Sequence, residues 1–174
     1  VGSGYTAIKL KVGGDVALDF ERVKAIRSAV GDGVQIRLDA NQGWSPKEAV
    51  RIIRRLEAEG LSIELIEQPV KAHDFAGLKY VTDRVETDIM ADESAFGPYE
   101  VFQLLSHRAC DLISIKLMKA GGLHSALKIA HFAETLDVQC MMSCMLESKV
   151  GITAAASLAA GKKIVTRAED RKSV

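Results

Sequence analysis

A chain of 174 residues, 48% of them hydrophobic, is long enough to bury one sizeable core. Its 23 basic and 23 acidic residues leave a formal net charge of zero, which supplies no electrostatic footprint for nucleic acid or for a membrane surface. Cys110, Cys140 and Cys144 are odd in number and lack metal-ligand spacing, so they fit a reducing, cytoplasmic setting better than a disulfide framework. No apolar run is long enough to span a bilayer, and no signal-peptide pattern opens the chain.

Only Val1 to Thr6 precede the first strand, an abrupt start that reads as a piece of a longer protein. That strand is Ala7 to Val12, closed by Gly13-Gly14. Side chains alternate along it, so Lys9 and Lys11 share a face. Two ammonium groups on one face of a core strand need anions opposite them. A helix follows from Asp15 to Val30, with Val16, Phe20, Val23, Ile26 and Val30 on one side and Gly31 as its stop. The next strand ends at Asp39. Ser45-Pro46-Lys47-Glu48 is a capping box with proline at the first helical position, opening a helix that buries Ala49, Ile52, Ile53 and Leu56 and stops at Gly60. A third strand ends at Glu67. Asp74 caps a shorter helix through Phe75, Leu78 and Val81, and a fourth strand ends at Asp92. Pro98 opens a helix with Val101, Phe102 and Leu105 inward. A fifth strand ends at Lys116, and Lys119 falls in the loop before Gly121-Gly122 as a solvated or anion-contacting residue. A helix runs from Leu123 to about Leu136, then a strand from Val138 to Met145. A small-residue helix from Val150 to Ala160 is expected to pack tightly, and a last strand spans Lys163 to Arg167.

The polar strand ends recur at steps of 28, 28, 25 and 24 residues from Lys11 through Asp39, Glu67 and Asp92 to Lys116. Strand and helix alternating at that period signal βα units and a parallel sheet. An open doubly wound sheet serves one switch point from one or two strands. Five successive strands ending in ionisable residues converge on one centre only in a barrel. The fold expected is therefore α/β, a (β/α) TIM-type barrel fragment of about seven parallel strands, one short of closure, with residues 1–174 forming one incomplete barrel domain.

Asp39, Glu67 and Asp92 would repel one another unless a cation stood among them. Oxygen ligands without His or Cys suit a hard ion, Mg²⁺ first and Mn²⁺ second. The competing reading, a carboxylate that caps a helix or pairs with a lysine, suits any one of them better than three at matching positions. Lys11 and Lys116 would flank the metal from opposite sides, with the ammonium form disfavoured, as a pair of acid/base groups. Lys9 would stabilise developing negative charge.

Lys9-Leu10-Lys11, Asp39-Ala40-Asn41, Ile66-Glu67-Gln68-Pro69, Ala91-Asp92-Glu93-Ser94 and Ile115 to Gly122 stand in the order and spacing of the enolase superfamily, and the chain resembles its muconate-lactonising branch over roughly residues 5 to 160. The Ile115–Gly122 stretch and Cys144-Met145-Leu146-Glu147-Ser148 look most like dipeptide epimerases of the L-Ala-D/L-Glu type. The resemblance implies an isomerase in which Asp39, Glu67 and Asp92 hold Mg²⁺ and a substrate carboxylate. It makes Lys11 and Lys116 the acid/base pair at the α-carbon, and gives Lys9 to the enolate. It makes Asn41 and Glu93 supporting residues, Glu93 orienting a lysine, and it places Cys144, Met145 and Glu169 against the substrate.

The family's capping domain and first barrel strand are not in this stretch of sequence, and Arg167-Ala168-Glu169-Asp170-Arg171 departs from the Asp-x-Asp pair on the last strand of dipeptide epimerases. Muconate cycloisomerase and o-succinylbenzoate synthase share the metal and lysines and form the enzymatic alternative. A catalytically inactive fragment that associates through its open sheet edges forms the other. A phosphate site on the Gly13-Gly14 and Gly121-Gly122 amides is a weaker reading. The expected partner is a small carboxylate or dipeptide, with self-association and without nucleic acid or membrane.

Overall fold

The computed structural model describes residues 4–168. Seven strands form one sheet in sequence order, every neighbouring pair parallel: β1 (Ala7–Lys11), β2 (Gln35–Asp39), β3 (Ile63–Glu67), β4 (Asp88–Ala91), β5 (Leu112–Ile115), β6 (Gln139–Met142) and β7 (Val165–Ala168). Helices α1 (Val16–Val30), α2 (Pro46–Ala58), α3 (Phe75–Thr82), α4 (Pro98–Ser106), α5 (Leu117–Ala120), α6 (Leu123–Thr135) and α7 (Lys149–Gly161) lie between them. The sheet curls into the expected barrel fragment. Across its hollow, Arg167 on β7 donates to Glu64 on β3 at 2.7 Å, and Arg37 on β2 points at the Met141 sulfur on β6 at 3.7 Å.

Local chemistry sets the helix ends. Asp15 accepts from the Ala17 and Leu18 amides, Asp74 from Gly77 and Ser148 from Gly151. Ser45 and Glu48 complete their reciprocal box ahead of Pro46. The main core lies between the outer face of the sheet and the helices, with Phe20, Ile36, Leu38, Ile53, Leu78 and Leu104 almost fully buried. A second, smaller cluster of Leu65, Met90, Leu112 and Met141 fills the hollow of the curl. Strands covered on both faces read as near-continuous apolar runs, as Leu112-Ile113-Ser114-Ile115 does, its one polar residue, Ser114, donating to Ser143 Oγ at 3.1 Å.

Several expectations are corrected. The inward face of α1 also holds Asp19 and Arg27. Asp19 accepts from the Gly13 and Gly14 amides at 2.8 and 3.1 Å. Arg27 donates to the carbonyls of Gly31, Val34, Leu61 and Ser62. Phe102 does not turn inward: it is 48% exposed and pairs with Phe132 on α6, because Val101, Leu104 and Leu105 already cover the sheet. α7 buries only Ala155 and Leu158 and leaves Val150 and Ile152 exposed, so its apolar residues do not make a tight packing face. The stretch after Lys116 is not a loop but the one-turn helix α5, closed by Gly121 in the left-handed region.

The glycine pairs hold no free anion cradle. Asp19 takes the Gly13 and Gly14 amides, and Leu117 O accepts those of Gly121 and Gly122. Gly13 is needed for a different reason: a Cβ there would stand 2.2 Å from the Ala40 carbonyl oxygen. Its φ of 101° favours glycine as well. The loops after β1 and β2 therefore touch directly above the strand ends.

Candidate functional site

Parallel register brings the polar strand ends together. Lys11 is level with Asp39, and Asp39 with Glu67. Asp92 follows β4 immediately, two residues beyond Met90, the partner of Glu67. Three carboxylates thus form a row across β2, β3 and β4, each 1% exposed or less. Although β1 is the first strand of the sheet, its two lysines face this row. Lys9 Nζ donates to Glu67 Oε2 at 2.9 Å and Asp39 Oδ2 at 3.3 Å, and Lys11 Nζ to Asp39 Oδ2 at 2.6 Å and to the Asn41 side-chain oxygen.

The opposite end of the row belongs to Asp92. Lys116 Nζ donates to its Oδ2 at 2.5 Å, and Lys119 Nζ to its Oδ1 at 2.5 Å and to its backbone oxygen. Lys119 is buried on the Asp92 carboxylate, so of the two readings the sequence left open, solvated or anion-contacting, the second is the one observed. Lys116 is the extended residue that precedes α5 and Lys119 lies within it, so the turn of the chain brings both ammonium groups to Asp92.

Asn41 bridges the supporting shell: its amide N–H donates to Asp39 Oδ1 at 3.0 Å and its Nδ2 to Glu93 Oε1 at 3.1 Å. Glu93 meets Asn41, whose side-chain oxygen accepts from Lys11, so it reaches a lysine through Asn41. A cavity of about 420 Å³ opens over Lys9, Lys11, Lys116 and Lys119, and Cys144 and Met145 line its far side. Glu169 lies outside the described residues.

The electrostatics follow from burial and charge. Burial pushes Glu67 up, Lys9 opposes this, Asp39 and Asp92 push it further, and its pKa stands at about 8. Asp92 resists its own burial because Lys119 and Lys116 hold it below the usual carboxylate range. The sequence reading expects a Lys116 ammonium that loses its proton easily. Burial does pull Lys116 down, but the Asp92 carboxylate outweighs it and leaves Lys116 above the ordinary lysine value. Lys119 is the lowered lysine, since its deeper burial exceeds what Asp92 returns.

Among the described residues no three carboxylate, imidazole or thiol groups converge into a finished metal cage; the ammonium groups stand among the carboxylates instead. The donor chemistry nevertheless fits a hard divalent cation. It is all oxygen, and the buried Glu67 Oε1 has no hydrogen-bond partner.

Comparison with known proteins gives one family throughout. The enolase C-terminal domain-like family matches residues 1–173. The L-Ala-D/L-Glu epimerase of Clostridium acetobutylicum is 55% identical over 164 residues, 94% of this chain and 46% of that protein. A substrate-liganded structure of the L-Ala-D/L-Glu epimerase from Bacillus subtilis superposes with a TM-score of 0.95 at 54% identity, covering 97% of this chain and 47% of that one. A dipeptide epimerase from Enterococcus faecalis V583, complexed with Mg and the dipeptide L-Leu-L-Tyr, gives 0.92 at 52% identity, covering 95% and 47%. This chain spans about half the length of the relatives it matches. From its strand order, its row of carboxylates and lysines and these likenesses, the chain belongs to the enolase C-terminal domain-like family of the enolase superfamily, on the muconate-lactonising branch.

Proposed function

We propose that this chain carries the catalytic barrel of a Mg²⁺-dependent epimerase that exchanges the proton α to a carboxylate, with a dipeptide of the L-Ala-L-Glu kind as substrate. The observation that carries the reading is the carboxylate row held between Lys11 at one end and Lys116 at the other. Asp39, Glu67 and Asp92 would hold the cation. Bound there, it supplies Lewis-acid stabilisation of negative charge on the substrate carboxylate.

The remaining work falls to the chain's own side chains. Lys9, Lys11, Lys116 and Lys119 bring four ammonium groups against the four carboxylates of Asp39, Glu67, Asp92 and Glu93, so the positive surplus that would draw an anionic substrate into the cavity is the cation's. Lys11 and Lys116 approach from opposite ends, so one removes a proton from one face of the α-carbon and the other returns one to the opposite face. Lys9 donates to the charge that develops between those steps. Cys144 and Met145 bound the side-chain end of the cavity. The dipeptide named with the Enterococcus faecalis structure supports the substrate class.

Solvent deuterium incorporation at the α-carbon of L-Ala-L-Glu, followed by NMR with and without Mg²⁺, tests the reading. Exchange that needs the metal, and that Lys116→Ala removes for one of the two epimers, is the expected result. Exchange indifferent to both, or none at all, overturns it for this chain.

A second reading rests on a separate observation. Among the described residues β1 and β7 each have a single strand neighbour, so two sheet edges stand open. Open edges favour pairing between chains. A non-catalytic barrel fragment that self-associates would then show no exchange and would sediment as an oligomer. A compact monomer counts against it.

A further inference from the structure

Gln68 follows Glu67 directly and is fully buried. Its carboxamide has two donor hydrogens and two acceptor positions, and all four are used. Oε1 accepts from the Asp92 amide at 2.9 Å and the Ser94 amide at 3.0 Å. Nε2 donates to the Val70 carbonyl at 2.9 Å and to Ser94 Oγ at 2.8 Å, and Ser94 Oγ donates onward to the Ala72 carbonyl. The orientation is forced. Turned over, the amide would set its NH₂ against two N–H groups and its oxygen against a carbonyl. The backbone joins in: Gln68 N donates to Met90 O, and Gln42 N donates to Gln68 O, both at 2.8 Å. All this is held at a φ of 40°, a left-handed position unusual for a glutamine and tolerated only where surroundings over-determine it.

These bonds join what lies on either side of the carboxylate row. Glu67 is one residue before Gln68, and the Asp92 amide hangs from the Gln68 side chain. The last ladder pairing of β3 with β4 is Glu67 with Met90, and past the Gln68 N–Met90 O bond the hydrogen bonds that reach Asp92 from β3 are those of this side chain. We propose that Gln68 is a positioning residue whose buried carboxamide ties the ends of β3 and β4 together and fixes the Glu67 and Asp92 carboxylates relative to each other for a divalent cation. The proposal rests on the cation reading above and adds to it the residue that sets the spacing of two ligands.

Mn²⁺ titration of the 174-residue chain, followed by electron paramagnetic resonance, tests it together with amide hydrogen exchange at Asp92 and Ser94. Gln68→Met keeps the volume and removes all four bonds. Loss of an outer partner of a metal ligand weakens binding by about 10- to 100-fold, which is the expected loss for Gln68→Met, with faster exchange at both amides. Thr82→Val, which removes a hydrogen bond to Ala109 O remote from the row, controls for general destabilisation and should leave Mn²⁺ affinity unchanged. If Gln68→Met does not fold, Ser94→Ala decides on the same readout. It removes one bond from the Gln68 carboxamide, and a loss near the low end of that range, about 10-fold, is expected. Affinity within about twofold of the parent chain in the deciding variant overturns the proposal while leaving the cation reading intact. A parent chain that binds no Mn²⁺ overturns both.

Discussion

Lys119 Nζ lies 2.5 Å from Asp92 Oδ1, on the oxygen opposite the one Lys116 takes at 2.5 Å. One carboxylate thus carries two ammonium groups, and both lysines come from a single turn of chain. Removing the second should be costly in the metal-free chain, because Asp92 is buried and Lys119 also satisfies its backbone oxygen. Breaking a buried ion pair typically costs about 3–5 kcal/mol; with Lys116 still in place, Lys119→Met should fall near the lower end. Urea unfolding in the presence of a chelator measures this. A loss well under 1 kcal/mol would show that Lys119 is a bystander.

The strand ends that make this site were readable from residue spacing alone, because a parallel register returns each βα unit to the same level. Lys9, Lys11, Asp39, Glu67, Asp92 and Lys116 all arrive where that logic puts them. The helix that carries Lys119 was missed because four residues are too few positions to show a period, so the stretch read as loop and the lysine's contact with an anion stayed one of two alternatives. Phe102 was misplaced because period alone cannot say how wide the buried stripe of a short helix is. Asp19 and Arg27 escaped notice for a related reason. A polar residue on an inward helical face breaks the apolar pattern, and only three-dimensional partners, here amides and carbonyls, reveal why it is tolerated.

Glu64 gives the pH dependence. Ile36 pairs with Ile63 but Arg37 with Leu65, so Glu64 is left over in the register and turns toward Arg37 and Arg167. Burial raises its pKa, but the hydrogen bonds from Arg37 and Arg167 outweigh this and hold it below the ordinary value. A depressed carboxylate contributes stability that is complete above its unfolded pKa of 4.5 and is lost as pH falls through the lower folded value. The chain should therefore lose stability as pH falls below 4.5, and Glu64→Gln should flatten that slope. At neutral pH the same variant should cost roughly 1.5–3 kcal/mol, the worth of a hydrogen bond to a charged group. Thermal unfolding across the pH series checks both.

A divalent cation should stabilise the chain by mass action. Added at 100 times its dissociation constant, Mg²⁺ or Mn²⁺ contributes about 2.7 kcal/mol, and a chelator removes it. Asp39→Asn, Glu67→Gln and Asp92→Asn should each abolish the metal-induced shift in melting temperature. Glu67→Gln is the most informative of the three, since it removes a carboxylate whose proton the surroundings already hold up to a pH of about 8. The metal-free form of that variant should be no less stable than the parent at pH 8, while its response to metal disappears.

Lys11 and Lys116 should separate by stereochemistry. They stand at opposite ends of the carboxylate row, one on Asp39 and the other on Asp92. On the proposed reading, a substrate carboxylate held at the row would present one face of its α-carbon to each. A positioned general base contributes about 10²- to 10⁴-fold, so each alanine variant should lose epimerisation by that order. The two variants should differ in which hydrogen they can no longer exchange. Lys116→Ala should retain α-deuteration of one epimer of Ala-Glu, and Lys11→Ala should retain it for the other. Incubating each variant with each pure epimer in D₂O and following the α-proton by NMR reads this directly. Loss of exchange for both epimers in both variants would assign the lysines a shared electrostatic role in place of opposed proton transfer.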